Sequence, residues 1–218
     1  MDLKRLHGSS RRRHPYPDDT ETLLVQASAA SAKTLLRATL RDSRKALAVQ
    51  APDAAERAAA LFPVGRLAAF PIVAGYRPRG GEISPWPLMQ RLAASGARLA
   101  LPAAIDRDSA LRFRAFAEGD PLAPDACGIA SPLAAAPEVT PDLIIAPLLA
   151  FDRSGGRIGQ GGGHYDRTLA AIRARRPVFV LGLAYAGQEV ARLPLEPHDQ
   201  RLDAILTEMA YIEAEQDL

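Results

Sequence analysis

Apolar residues along this chain recur first at helical spacing and then in short unbroken runs. From about Ser31, Leu36, Leu40 and Leu47 fall within one narrow arc at about 100° per residue, which predicts a helix with a core-facing stripe. Lys33, Arg37, Arg41 and Arg44 form a second arc beside it. Four cations on one arc repel one another, so this face either lies in water or meets an anion. Pro52 opens a short alanine-rich helix that ends near Phe62-Pro63. The pattern then alternates. Arg66 to Val73 reads as a strand, Pro85 to Ser95 as a helix, Arg98 to Leu101 as a strand, and Leu111 to Phe116 as an exposed strand. Residues 121 to 141 are proline-rich and predict an irregular surface connection. Leu143 to Leu149 is a continuous aliphatic run, as in a strand buried on both faces. A helix from about His164 to Arg175, a buried strand from Val178 to Tyr185, and a short strand from Asp203 to Leu206 complete the pattern. Strands alternating with helices predict an α/β protein of three layers, α/β/α, around a mostly parallel central sheet.

Residues 1–27 break this rhythm: Arg11-Arg12-Arg13-His14 is followed by prolines and acidic residues without an apolar period. They are expected to be a flexible tail, with residues 28–212 forming a single α/β domain. The whole chain of 218 residues carries a formal net charge of only +2, unlike the dense basic face of a protein held to nucleic acid by bulk charge. Arginine supplies almost all the positive charge, which suits planar recognition of phosphate or carboxylate. A single cysteine, Cys127, rules out an intrachain disulfide and a cysteine-based zinc site. The apolar runs are too short to span a bilayer, and no secretory leader is evident. A cytoplasmic monomer acting on small molecules is expected, without nucleic-acid or membrane partners.

The most informative stretch follows the aliphatic run of Leu143 to Leu149. The apolar residues stop at Asp152, turn on Gly155-Gly156, and cross Gly159-Gln160-Gly161-Gly162-Gly163 into the helix at His164. Without Cβ atoms, such a backbone lets an anion approach its N–H groups closely. The following helix would aim its orphan N–H groups and positive dipole end at the same place. Arg157 and Arg167 flank the loop. The pattern therefore points to phosphate, with a purely structural turn as the alternative. Neither a Walker loop nor the Gly-x-Gly-x-x-Gly dinucleotide fingerprint is present.

Taken whole, Phe151-Asp152 through Arg157-Ile158-Gly159 to Gly161-Gly162-Gly163-His164-Tyr165-Asp166-Arg167 resembles the signature of the 5-formyltetrahydrofolate cyclo-ligase family, also called methenyltetrahydrofolate synthetase. Other segments resemble it in the same order: Lys33-x-x-Leu36-Arg37, Gly75-Tyr76-x-Pro78 with Gly81-Glu82-Ile83, Arg98 to Pro102, and Leu183 to Glu208. The resemblance covers roughly residues 31 to 210. His164 stands where the family often has a tyrosine, and Ser131 precedes Pro132 where many members have glutamate.

The resemblance implies an ATP-dependent enzyme that closes 5-formyltetrahydrofolate to 5,10-methenyltetrahydrofolate, with ATP as co-substrate and Mg²⁺ as cofactor. It implies ATP contacts from Lys33, Arg37, Arg157, Ile158, Gly159, Gln160, Gly161, Gly162, Gly163, His164 and Tyr165. It implies folate contacts from Tyr76, Glu82 and Gln160 to His164, catalytic roles for Arg157 and Tyr165, and metal ligation by Asp166 and Asp199. Asp166 has the alternative of a simple helix cap, and Arg41 that of a solvent-facing charge. Asp152 is expected to hold the turn rather than do chemistry. Rival readings are a sugar-phosphate isomerase or CoA-transferase relative, a non-catalytic folate- or nucleotide-binding protein, and an RNA-associated module using the arginine-rich tail.

Overall fold

The computed structural model describes residues 19–193 and 195–215, with side chains from Thr34 onward. The chain divides into two compact units, one up to Leu36 and one from Arg37 on. The described part of the first is the amino-terminal stretch of helix α1, which runs Asp19–Gln50. This helix begins earlier than the apolar period suggests. Residues 21 to 32 are rich in Ala, Leu, Glu and Gln, good helix formers whether or not they show a stripe. Of the expected tail, residues 1–18 lie outside those described. Leu36, expected in the core stripe, is 42% exposed, whereas Leu47 further along packs against the core of the second unit.

The second unit continues with α2 (Ala54–Leu61), β1 (Ile72–Ala74), α3 (Trp86–Ala94), β2 (Arg98–Ala103) and β3 (Arg112–Ala115). It goes on through β4 (Leu122–Pro124), β5 (Ala130–Pro132), β6 (Leu143–Pro147), β7 (Ala150–Phe151) and β8 (Arg157–Ile158). Helix α4 (His164–Arg173) and strands β9 (Phe179–Leu183), β10 (Ala204–Leu206) and β11 (Tyr211–Glu213) complete it. A seven-stranded sheet runs β11-β10-β9-β6-β1-β2-β3, parallel from β10 to β2 with an antiparallel strand at each edge. The unbroken aliphatic composition of β6 follows from its place at the centre. Leu143 and Ile145 face one core with α2 and α3, and Ile144 and Ala146 face the other with Leu169 of α4. Two cores on opposite faces make the three layers.

Three elements differ from the apolar pattern. The strand expected from Arg66 shrinks to Ile72–Ala74, because Val64–Arg66 forms a 3-10 turn and Pro71 has no N–H to give a ladder. The connection expected to be irregular contains the β4–β5 hairpin, tied by the Asp125 carboxylate, which accepts from the N–H groups of Cys127, Ile129 and Ala104. The aliphatic run up to Leu149 ends as strand at Pro147, and Ala150-Phe151 turn away to pair with Arg157-Ile158. Strand order reverses between β1 and β6, and the usual ligand crevice in such sheets lies beyond the carboxyl ends of those strands.

Candidate active site

Asp152 sets up the glycine loop. It is 2% exposed, and its carboxylate accepts from Ser154 N (3.0 Å), Ser154 Oγ (2.7 Å), Gly156 N (3.0 Å) and Leu193 N (2.8 Å). Burial pushes this carboxyl up, but the Ser154 hydroxyl and the three amides outweigh burial and hold it below the usual carboxylate range. The turn it holds returns the chain along β8 and delivers Arg157 into the crevice. Arg157 is 8% exposed; its Nη2 donates to Asp166 Oδ1 at 2.6 Å, and its guanidinium lies 6.0 Å from the Tyr165 ring centre.

Beyond β8 the loop has the conformation its glycines permit. Gly161 and Gly163 have φ of +100° and +65°, in the region L side chains avoid. A Cβ on Gly161 would lie 3.3 Å from the Arg37 guanidinium, and one on Gly163 would meet the Arg167 side chain. Among the described residues, the N–H groups of Gly159 to Gly163 donate to no protein acceptor. That leaves five consecutive amides in the loop that leads into α4, whose N-cap is Gly163 and whose dipole is positive at that end.

Cations converge on this loop from α1. Arg37 Nε donates to Gly159 O (3.3 Å), and Arg41 Nε to Gln160 Oε1 (2.8 Å). Arg167 Nη2 donates to Gly162 O (2.8 Å). The arginine arc of α1 therefore faces the loop rather than bulk water. Lys33, the first cation of that arc, has its side chain outside the described residues.

On the other side of the crevice, Gly75-Tyr76 leaves β1 and a turn through Gly80 and Gly81 presents Glu82. Gly81, at φ +81°, passes so close to α1 that a Cβ would sit 3.1 Å from Lys45 Cα. The Glu82 side chain is 8% exposed and pairs with Arg44 Nη1 at 3.1 Å. Its Oε2 accepts from Arg79 N (2.9 Å), and Gln160 Nε2 reaches its Oε1 from the glycine loop (3.4 Å). The Tyr76 hydroxyl donates to Ile83 O at 2.5 Å. Burial first, and then the nearby Glu82 charge, push the Tyr76 phenol well up; the same two causes raise Tyr165, with Arg157 opposing. Both phenols are therefore neutral near pH 7, fit to donate hydrogen bonds or stack but not to act as bases. The structure thus brings Glu82 and Gln160 together with Tyr165 nearby, while Tyr76 is buried in the core beside them at 4% exposure.

His164 turns away from that crevice. Its Nε2 lies 3.3 Å from Asp106 O and 3.9 Å from Cys127 Sγ, while Nδ1 lies beside Gly162. Asp166 and Asp199 belong to adjoining segments. Asp166 Oδ1 accepts from Arg157 and from Gln200 N (3.1 Å), and Asp199 Oδ2 accepts from Glu196 N (2.7 Å). Among the described residues no group of three or more potential ligands forms a metal site. His198 lies 3.3 Å from Glu196 Oε2 and is strongly exposed. Trp86 lies elsewhere. It packs on Phe116 and lines a cleft of about 830 Å³ on the α3 face of β2 and β3, which shares no residue with the glycine loop.

Comparison with known proteins decides the family. The family model described as 5-formyltetrahydrofolate cyclo-ligase matches residues 29–208. The chain belongs to that family. Among its relatives, the 5-formyltetrahydrofolate cyclo-ligase of Mycolicibacterium smegmatis is 33% identical over 190 residues, covering 80% of this chain and 93% of that protein. The cyclo-ligase of Haemophilus influenzae is 36% identical over 131 residues, covering 58% of this chain and 70% of that one. The 5,10-methenyltetrahydrofolate synthetase of Aquifex aeolicus shares the fold at a TM-score of 0.70 and 26% identity, covering 85% of this chain and 94% of that structure. The cyclo-ligase match spans every element that builds the crevice, from the arginine arc of α1 to β10.

Sequence reasoning placed Arg44 in the cationic arc but gave it no partner, and it placed Arg167 only as a flank of the loop. The signal for Arg44 was its spacing. Residues 37, 41 and 44 follow the i, i+4, i+7 rule of a single helix face, so a face whose first two members meet the loop carries the third inward.

Proposed function

We propose that this cyclo-ligase family member closes 5-formyltetrahydrofolate to 5,10-methenyltetrahydrofolate at the expense of ATP, releasing ADP and phosphate. A formyl group on nitrogen is amide-like, and its oxygen leaves poorly. Transfer of the terminal phosphoryl group to that oxygen converts it into a phosphate leaving group. The neighbouring N10 amine then attacks the formyl carbon, the C–O bond breaks with its electron pair going to phosphate, and N10 gives up its proton. Such chemistry asks the protein mainly for alignment and for neutralisation of charge.

The observation that carries this reading is the row of five amides from Gly159 to Gly163, without partners among the described residues and ringed by Arg37, Arg41 and Arg157. In this assignment the amides and these cations hold the ATP phosphates, with Ile158 and Tyr165 completing the wall and His164 contributing through its backbone alone. Arg157, anchored by Asp166, is placed to neutralise the transferring group, and the neutral Tyr165 phenol to donate to it. Glu82 accepts from the amino and ring N–H donors of the pterin, Tyr76 packs beside it, and Gln160 exchanges its contact with Glu82 for one with substrate. Mg²⁺ fits Asp166 and Asp199: one carboxylate oxygen of Asp166 carries both protein contacts, Gln200 N brings the residue after Asp199 against it, and both side chains reach solvent at 22% and 28%. Few protein oxygens and retained waters suit that ion, which when bound would offset phosphate charge.

The test is purified protein with 5-formyltetrahydrofolate, Mg²⁺ and ATP, followed by absorption of the methenyl product. ATP-dependent product is expected. Tight binding of both substrates with no product would favour a non-catalytic binder, and product formed without ATP would refute the phosphorylation route.

A further inference from the structure

We infer that Arg44 is a positioning residue for the folate-contacting carboxylate of Glu82, and so a determinant of substrate affinity that leaves ATP binding alone. This rests on the reading of Glu82 given above.

An arginine only 2% exposed is unusual, because a buried charge is costly unless paired and fully hydrogen-bonded. Arg44 meets most of that requirement by linking three separate segments through its two Nη groups, while its Nε is buried without a partner among the described residues. From α1, its Nη1 donates to Glu82 Oε1 (3.1 Å) and to Leu148 O (3.1 Å), just past the end of β6. Its Nη2 donates to Arg79 O (3.3 Å) and Gly80 O (3.3 Å), the two carbonyls that open the turn before Glu82. Leu148 O also accepts from Gln188 Nε2 at 3.0 Å, so the guanidinium is tied to a buried, doubly hydrogen-bonded carbonyl just past β6. The fork therefore sets both the turn that carries Glu82 and the direction of its carboxylate. A lysine would keep the charge but could not span these acceptors in one plane.

The contacts of Glu82 divide into fixed and exchangeable ones. Arg44 and Arg79 N reach it from buried or backbone positions, whereas Gln160 reaches it from an exposed loop at 3.4 Å. A carboxylate has about four acceptor sites. Pterin N–H donors can take the remaining site and the one Gln160 vacates, provided Arg44 keeps the group aimed at the crevice. Glu82 joins the turn after β1, through Arg79 N, to the glycine loop, through Gln160, and its charge is near enough to raise both the Tyr76 and Tyr165 phenols. Arg41 and Arg37, about one and two turns earlier, contact the loop and not Glu82. The arginine arc thus divides its labour: two members serve phosphate, and the third serves the folate side.

The experiment compares wild type, Arg44→Lys, Arg44→Met, Glu82→Gln and the Arg44→Lys/Glu82→Gln double variant. Both KM values, kcat and calorimetric binding of 5-formyltetrahydrofolate would be measured. Arg44→Lys is expected to raise KM for the folate about tenfold or more while KM for ATP stays within about twofold, and the double variant to resemble Glu82→Gln alone because the two act as one unit. Arg44→Met should be at least as weak toward folate; if it fails to fold, the charge-conserving Arg44→Lys decides. An unchanged folate KM in Arg44→Lys, an equal rise in both KM values, additive effects in the double variant, or failure of Arg44→Lys to fold would each overturn the inference. If Glu82→Gln leaves folate binding intact, it is the reading of Glu82 that has failed. If Glu82→Gln weakens folate and Arg44→Lys does not, only the role of Arg44 falls.

Discussion

Replacing Arg157 by alanine tests how the crevice handles charge. In the resting structure the guanidinium spends one N–H on Asp166, at 2.6 Å, while its Nε is buried without a partner among the described residues. Donors therefore remain for a phosphate. A charge-assisted hydrogen bond contributes about 1.5–3 kcal/mol, so losing one such contact should weaken ATP by roughly 10- to 150-fold. Stability should suffer less. Asp166 loses its charged partner but keeps Gln200 N, and with a side chain 22% exposed it can recover water, which limits the cost to about 1–2 kcal/mol. For a chain of this size that corresponds to a fall in Tm of roughly 2–8 °C. Calorimetric titration with ATP and Mg²⁺, steady-state kinetics and a thermal melt give the three numbers. Arg157→Lys should fall between, since it restores a charge but not the fork. Unchanged ATP affinity and kcat in the alanine variant would refute the placing of phosphate beside Arg157. A collapse of the fold would show the residue to be architectural instead.

Three further outcomes are expected. Gly161→Ala puts a side chain at φ +100° and 3.3 Å from the Arg37 guanidinium, so strain of about 1–3 kcal/mol should raise KM for ATP about tenfold or more; kinetics equal to wild type would contradict the loop geometry. Asp152→Asn should cost about 2–4 kcal/mol at pH 7, because amides that now face a charged acceptor would meet an NH₂ group. Because the folded Asp152 carboxyl is held below its unfolded value, its stabilisation is fully present above about pH 4 and is lost as pH falls further. The wild-type advantage in denaturant unfolding should therefore shrink between pH 7 and pH 3, and a constant difference would contradict this. Removing Mg²⁺ with a chelator should abolish turnover and weaken ATP binding, and Asp166→Asn should raise the Mg²⁺ concentration needed for half-maximal rate; indifference to both would remove the metal role.

Much of this architecture was legible before any coordinates. The continuous aliphatic run in β6 and the glycine density after Asp152 each carry their own physical reason, burial on both faces and open access to the backbone. Those features do not depend on distant contacts. Arg44 does. A cation on a helix face looks solvated in sequence, and only the arrival of Leu148 O and the turn at Arg79 and Gly80 makes it a buried clamp. The same holds for the short β4–β5 hairpin, whose proline-rich strands are held by the Asp125 carboxylate rather than by strand propensity. The edge strand β11 escaped notice because Tyr211-Ile212-Glu213 is too short to show a period and pairs only with β10. Likewise the onset of α1 at Asp19 follows from propensity alone, where no stripe marks it.

Oxygen tracing tests the central claim most directly. With ¹⁸O in the formyl group of 5-formyltetrahydrofolate, the released inorganic phosphate should carry one labelled oxygen per turnover, because the formyl oxygen departs with the phosphoryl group. Label recovered in water, with none in phosphate, would contradict phosphorylation of the formyl oxygen and with it the account given for this crevice.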